Sequence, residues 1–190
     1  MEDSILTRLQ NWYKTNCDGD WEHSWGLSIG TIDNPGWSVK IHLEDTCLSN
    51  LVYKYSTDNG TFDWIDIKVK DQTFEAYCSP EKLIEVLKIF LDEIIPKYAD
   101  PNFHYVVYIP LTGGPATVWR PAKAKMLTDG ILEIVEFPEL KYEDIKVKTL
   151  DDITFKREDI FSYRTNYSIG DQLQTELKEM YNGINIIVKE

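Results

Sequence analysis

Residues 16–23 read NCDGDWEH, which places a thiol, three carboxylates, an imidazole and an indole within eight positions. Asp18, Asp20 and Glu22 are spaced two apart, as oxygen ligands are in a calcium-binding EF-hand loop. Such a loop starting at Asp18 would need glycine at 23 and a bidentate acid at 29. The chain has His23 and Ile29 there, so the match fails where the loop needs it most. A transition metal could take His23 with Glu22, Asp18 and Asp20, but would need further ligands from elsewhere. The other histidines, His42 and His104, sit in no ligand-like cluster. Cys17 is the remaining chemical candidate. A reactive thiolate is favoured by a helix N-terminus or a neighbouring cation, whereas Cys17 follows a predicted helix and precedes Asp18 and Asp20. No GxSxG elbow, P-loop or GxGxxG opening a βαβ unit occurs.

The elements that must position these residues are legible in the periodicity. Ile5, Leu6, Leu9, Trp12 and Tyr13 have helical spacing behind Ser4 as N-cap, and Gly19 supplies the stop. Trp25, Leu27 and Ile29 alternate as a half-buried strand. DNPG at 33–36 is a turn in which Pro35 fixes its own φ and Gly36 permits a positive one. Trp37, Val39, Ile41 and Leu43 alternate after it, so a hairpin is predicted. Strands follow near Leu51–Ser56 and Trp64–Val69, with a short fifth through Phe74, Ala76 and Cys78. Ser79 as N-cap and Pro80 as first helical residue open an apolar-faced helix that Pro96 closes. Residues 1–97 thus form one α+β unit: helix, antiparallel four- to five-stranded meander, packing helix. KYADPN at 97–102 reads as a linker. Beyond it, HYVVYIPL, ATVWRPAKA, GILEIVEF, DIKVKTL, DIFSYRT and INIIVKE predict a small barrel-like or curled-sheet domain over 103–190. DQLQTELKEMYNG at 171–183 is predicted as a short helix.

Composition narrows the function classes. The chain has 190 residues, 43% hydrophobic and 13% aromatic, which is globular. Its net charge is −12, with 18 acids against 9 bases in residues 1–100 and 14 against 11 in 101–190. That balance argues against a nucleic-acid partner and suits a basic protein partner. Arg120, Lys123 and Lys125 beside Trp119 are too few to reverse it. No apolar run reaches the length of a membrane span, and MEDSIL lacks the features of a signal peptide. A cytoplasmic protein without membrane association is expected. Cys17, Cys47 and Cys78 are odd in number and lack CxxC spacing, so reduced thiols are expected rather than disulfides or zinc.

Residues 9–43 resemble immunity protein family 53 of bacterial polymorphic-toxin systems. The residues that carry the likeness are the leading LQ.WY, the block CDGDWEH, the following DNPGW and the strand V.I.L, with the downstream DW at 63–64 and the helix from Ser79. The likeness spans about residues 5–95. It implies a cytoplasmic, non-catalytic protein that neutralises a cognate toxin domain, and no cofactor. Residues 118–136 are more distantly similar to a small β-rich module of short bacterial proteins, although its Pro-Gly-Asp turn appears here as KREDIF (156–161).

CDGDWEH then has two readings. In one it is architecture: Gly19 and the aspartates end a helix, and Trp21 is a buried anchor that frames the first hairpin together with Pro35, Gly36 and Trp37. In the other, Asp18, Asp20, Glu22 and His23 form an acidic rim that accepts Arg and Lys from a basic toxin, a nuclease being one kind that fits. The alternative function is a small hydrolase or sulfurtransferase-like enzyme using Cys17 or a metal near His23. Oligomeric state is not legible in the sequence.

Overall fold

The computed structural model describes residues 4–113, 118–128, 130–139, 146–147, 164–180 and 183–189. Helix α1 (Ile5–Asn16) starts where the Ser4 hydroxyl accepts from the Thr7 N–H. A short helix α2 (Trp21–Ser24) follows, then β1 (Leu27–Ile32) and β2 (Gly36–His42), which form the predicted hairpin with Ile29 opposite Val39. Strands β3 (Tyr53–Asp58), β4 (Trp64–Lys70) and β5 (Thr73–Cys78) complete an antiparallel sheet.

Its order is β1-β2-β5-β4-β3, which departs from a simple meander. After β2 the chain crosses to the far edge, and β5 returns to fill the centre. The register explains why. Val69, Phe74 and Ile41 form one row across β4, β5 and β2, and Ile67, Ala76 and Val39 form the next. Phe74, Ala76 and Cys78 are essentially inaccessible to solvent. A central position covers both sides of this apolar strand, which an edge position would leave half unpaired.

The packing helix differs from expectation at both ends. Ser79 does not cap it: its hydroxyl donates to the Phe62 carbonyl (2.8 Å), and residues 79–82 form a turn closed by Lys82 N–H to Ser79 C=O. Helix α3 (Leu83–Lys88) begins after that turn. Nor does Pro96 end the rod. A π-helical segment (Ile89–Ile94) passes into α4 (Ile95–Tyr98), with Pro96 inside it. Proline lacks an N–H and its ring crowds the carbonyl four residues back. The wider π turn just before it is the kind of local adjustment that lets a helix continue. Val86, Leu87, Phe90, Leu91 and Ile94 are buried against the sheet and α1.

The segment predicted as a linker is pinned rather than free. Asp100 donates its N–H to the Cys47 carbonyl (2.7 Å), and its carboxylate accepts from the Asn102 N–H (2.8 Å). Strands β6 (Tyr105–Leu111), β7 (Val118–Thr128), β8 (Ile131–Glu136), β9 (Lys146–Val147), β10 (Gln172–Met180) and β11 (Gly183–Val188) form the second sheet. Its order is β6-β11-β10-β8-β7-β9, and β6 also pairs with β7, so five strands close a ring. The barrel-like architecture expected for this half is therefore present. Eleven residues let β7 pair with β6 along Val118–Ala124 and with β8 toward its end, where two register shifts add curl.

The helix predicted over 171–183 is instead strand β10. Leu173 and Thr175 are buried while Gln172, Gln174 and Glu176 are exposed, a period of two. Pairing with β8 and β11 overrides the helix-favouring Glu, Lys and Leu of ELKEM. Of DIKVKTL, Lys146–Val147 is strand and the remainder lies outside the described residues. Of DIFSYRT, Arg164 bridges to Thr112 and residues 159–163 lie outside them, as does KREDIF. One continuous apolar cluster runs from Leu9 and Trp12 through the first sheet to Tyr105, Ile134 and Val188. No helix among the described residues is long and apolar enough to cross a membrane.

Candidate functional site

The acidic block begins where α1 runs out of donors. Cys17 donates its N–H to the Lys14 carbonyl, and Gly19 then takes φ +104°, a conformation that side-chain-bearing residues rarely adopt. A Cβ at this position would also stand 3.2 Å from the Ile184 carbonyl oxygen in β11. One Asp18 carboxylate oxygen accepts from the N–H groups of Asp20 and Trp21, each at 3.0 Å. Glu22 reaches back to the Gly19 N–H at 3.2 Å. Together the two side chains satisfy three backbone N–H groups at the start of the one-turn helix α2.

Trp21, on that turn, is 3% exposed. Its indole N–H donates to the Glu44 carbonyl at 2.7 Å, and its ring meets Trp12 edge-on at 6.0 Å and Tyr13 at 5.8 Å. Trp12 continues the contact to Phe90, and Phe90 to Phe74, so an aromatic chain links the acidic turn to the centre of the sheet. Trp37 lies at the other end of β2, half-buried, with its N–H on the Pro80 carbonyl (2.9 Å). Pro35 sits in the exposed turn between the two strands. Gly36 does not have the positive φ expected of it. Glycine is required for closeness instead, because a Cβ would lie 2.3 Å from the Cys78 carbonyl oxygen.

The four proposed rim residues therefore divide. Asp18 and Glu22 each have an oxygen committed to the backbone, and the second oxygen of Glu22 is buried without a partner among the described residues. Asp20 and His23 are exposed, and among the described residues the Asp20 carboxylate forms no hydrogen bond or ion pair. Sequence reasoning missed what lies beside them. Trp25 is 37% exposed and, with Gly26 and Leu27, faces Leu9, Gln10 and Tyr13 of α1 across a groove of about 390 Å³. The Trp25 ring also packs on His42, whose Nδ1 is 3.4 Å from a Glu44 carboxylate oxygen. The hairpin register gave no direct signal for this contact, since Leu27 opposes Ile41 and the His42 N–H bonds the Gly26 carbonyl, which sets Gly26 rather than Trp25 across from His42.

Cys17 is buried and donates its S–H to the Tyr13 carbonyl. Burial pushes its pKa up to about 11, Glu22 and Asp18 push in the same direction, and the Tyr13 side chain opposes them. At neutral pH it is a protonated thiol, which is unsuited to attack. Cys47 and Cys78 are likewise free, buried and raised by desolvation. Among the described residues no three His, Cys, Asp or Glu side chains gather in a metal-binding cluster. Charge is also less uniform than composition suggests. The open face of the first sheet carries Lys40, Glu75, Lys68 and Lys54 in one cross-strand row.

A helix-flanked antiparallel sheet joined to a small closed barrel, with an acidic turn hydrogen-bonded into its own backbone, defines an α+β protein whose turn offers charge and apolar surface side by side. Residues 6–94 match the family described as Immunity protein 53. The match takes in α1, the acidic turn, the whole first sheet and the helical rod to the end of its π-helical segment, so the family resemblance is shown over this segment. It does not extend to the β-rich part that follows. No curated protein and no solved structure matches the chain.

Proposed function

We propose that this protein is a cytoplasmic immunity protein that binds a cognate toxin domain and neutralises it without catalysis. The observation that carries the reading is the family match over residues 6–94, which contains the acidic turn. The toxin is read as basic, and a nuclease suits that charge, because an acid-rich partner accelerates encounter with a cationic one. The docking surface is Asp20 and His23, flanked by Asp18 and Glu22, together with the groove beside Trp25. An exposed aromatic ring next to a carboxylate matches the composition of interface anchors, where Arg and aromatic groups dominate the energy. Residues 1–97 carry recognition in this reading, and residues 103–190 form a second unit that buttresses α1 and the turn.

The test measures binding to the toxin domain encoded beside the gene, by calorimetry and stopped-flow at two salt concentrations. Stoichiometric binding that abolishes toxin activity is expected. Asp20→Lys should slow association by about tenfold at low salt, and Trp25→Ala should mainly speed dissociation. No binding by the wild-type protein refutes the function. Tight binding with unchanged kinetics in both variants refutes the surface and leaves the function standing.

A further inference from the structure

A polar cleft of about 490 Å³ lies between α1 and the strand ends of the barrel. Arg8, Asn11 and Lys14 line it from the helix, and Gly130, Thr175 and Lys189 from the barrel side. At 100° per residue these helix positions occupy a different face of α1 from Leu9, Gln10 and Tyr13, so the cleft is separate from the groove at Trp25. Its geometry is fixed by close contact. Gly130 takes φ +85°, and a Cβ there would be 2.5 Å from the Asn11 Cβ. The Lys189 N–H is held by the Gln174 carbonyl at 2.8 Å, which ties the end of β11 to β10.

The charges in this cleft are unusual for a chain with net charge −12. Arg8 is engaged by Asp92 at 2.6 Å, so its charge is largely balanced. Lys14 and Lys189 form no ion pair among the described residues, yet Lys189 is close enough to disfavour the charge on Lys14. Partial burial lowers the Lys14 pKa most, Lys189 lowers it further, and Glu176 opposes both. In the same wall Thr175 is 2% exposed, and its hydroxyl oxygen has no hydrogen-bond partner among the described residues. Two like charges and an orphaned buried hydroxyl each cost free energy, and all three residues line this one cleft, where an anion would offset that cost.

We propose that this cleft binds a small phosphate-bearing molecule, with Lys14 and Lys189 neutralising the phosphate and the Thr175 hydroxyl donating to it. Ammonium groups act as point charges that suit a tetrahedral oxyanion. Asn11 and Gln174 offer amide groups to the remainder of the ligand, and the volume accommodates more than phosphate alone. The site stands independently of toxin binding.

The test titrates the full chain with inorganic phosphate and with adenosine 5′-monophosphate by calorimetry at fixed ionic strength. Saturable one-to-one binding is expected for at least one probe. Tighter binding of the nucleotide indicates an organic phosphate ester, and equal affinity indicates free phosphate. The double variant Lys14→Gln, Lys189→Gln should weaken binding by about tenfold or more, as loss of two charge-assisted contacts implies. Thr175→Val, nearly equal in shape, should weaken it by about threefold, while a Lys54→Gln, Lys68→Gln control on the open sheet face should bind as wild type. The proposal is overturned by no saturable binding up to about 10 mM of either probe. Wild-type affinity in the Lys14, Lys189 variant, or an equal loss in the control, overturns it as well.

Discussion

Replacing Trp21 by alanine separates architecture from recognition at the acidic turn. The indole is almost wholly buried, touches Trp12 and Tyr13, and is the only donor found on the Glu44 carbonyl among the described residues. Truncating a buried Trp costs about 3–5 kcal/mol in transfer and cavity terms. Loss of the hydrogen bond contributes about 1 kcal/mol where the carbonyl stays dry. Against a total stability of about 5–15 kcal/mol this is a large share. For a chain of this size it corresponds to a melting temperature lower by roughly 8–24 °C. Trp21→Phe keeps most of the ring contact and should cost only about 1–2 kcal/mol. Urea denaturation followed by circular dichroism measures both variants. A cost for Trp21→Ala below about 1 kcal/mol would refute the anchoring role, because it would mean that the aromatic chain from Trp21 to Phe74 holds without its first member.

The remaining predictions concern neighbouring groups. Asp18→Ala should destabilise by about 1–2 kcal/mol, because two backbone N–H groups lose their acceptor, whereas Asp20→Ala should stay within about 0.5 kcal/mol of wild type; denaturant titration of both decides it. Gly36→Ala should cost about 1–3 kcal/mol through the clash with the Cys78 carbonyl, and melting curves that match wild type would count against the close approach. Cys17 should resist alkylation at neutral pH and react as pH nears 11, read by mass spectrometry at timed intervals. The same shift fixes a stability trend. The folded thiol holds its proton to higher pH than the unfolded one, so its contribution is complete below pH 9 and is lost as pH rises from 9 to about 11.

Periodicity was a sound guide wherever burial alone decides structure. The alternation of Trp37, Val39 and Ile41 about DNPG yields the hairpin, and the spacing of Leu9, Trp12 and Tyr13 yields α1, because these patterns have one way to hide their apolar face. It misled wherever a local signal competed with a distant partner. Ser79 and Pro80 look like a helix start, yet the Ser79 hydroxyl is taken by Phe62, seventeen residues away. ELKEM favours a helix, yet β8 and β11 claim it as a strand.

At the acidic turn the residue types and the helix stop at Gly19 could be read directly, and the division of labour among the acids could not. Whether Asp18 caps a helix or faces a partner depends on the α2 turn, which is one turn long and too short to register as a periodicity. By itself, the sequence determined the α+β class, the strand-rich second half, the family likeness of the first half and the buried, inert character expected of Cys17. The tertiary structure decided the central place of β5, the closure of the barrel, the groove at Trp25 and the meeting of Lys14 with Lys189. The physical reason is distance along the chain. Lys14 and Lys189 are brought together only when α1 docks on the barrel, and no local propensity encodes a contact between residues so far apart.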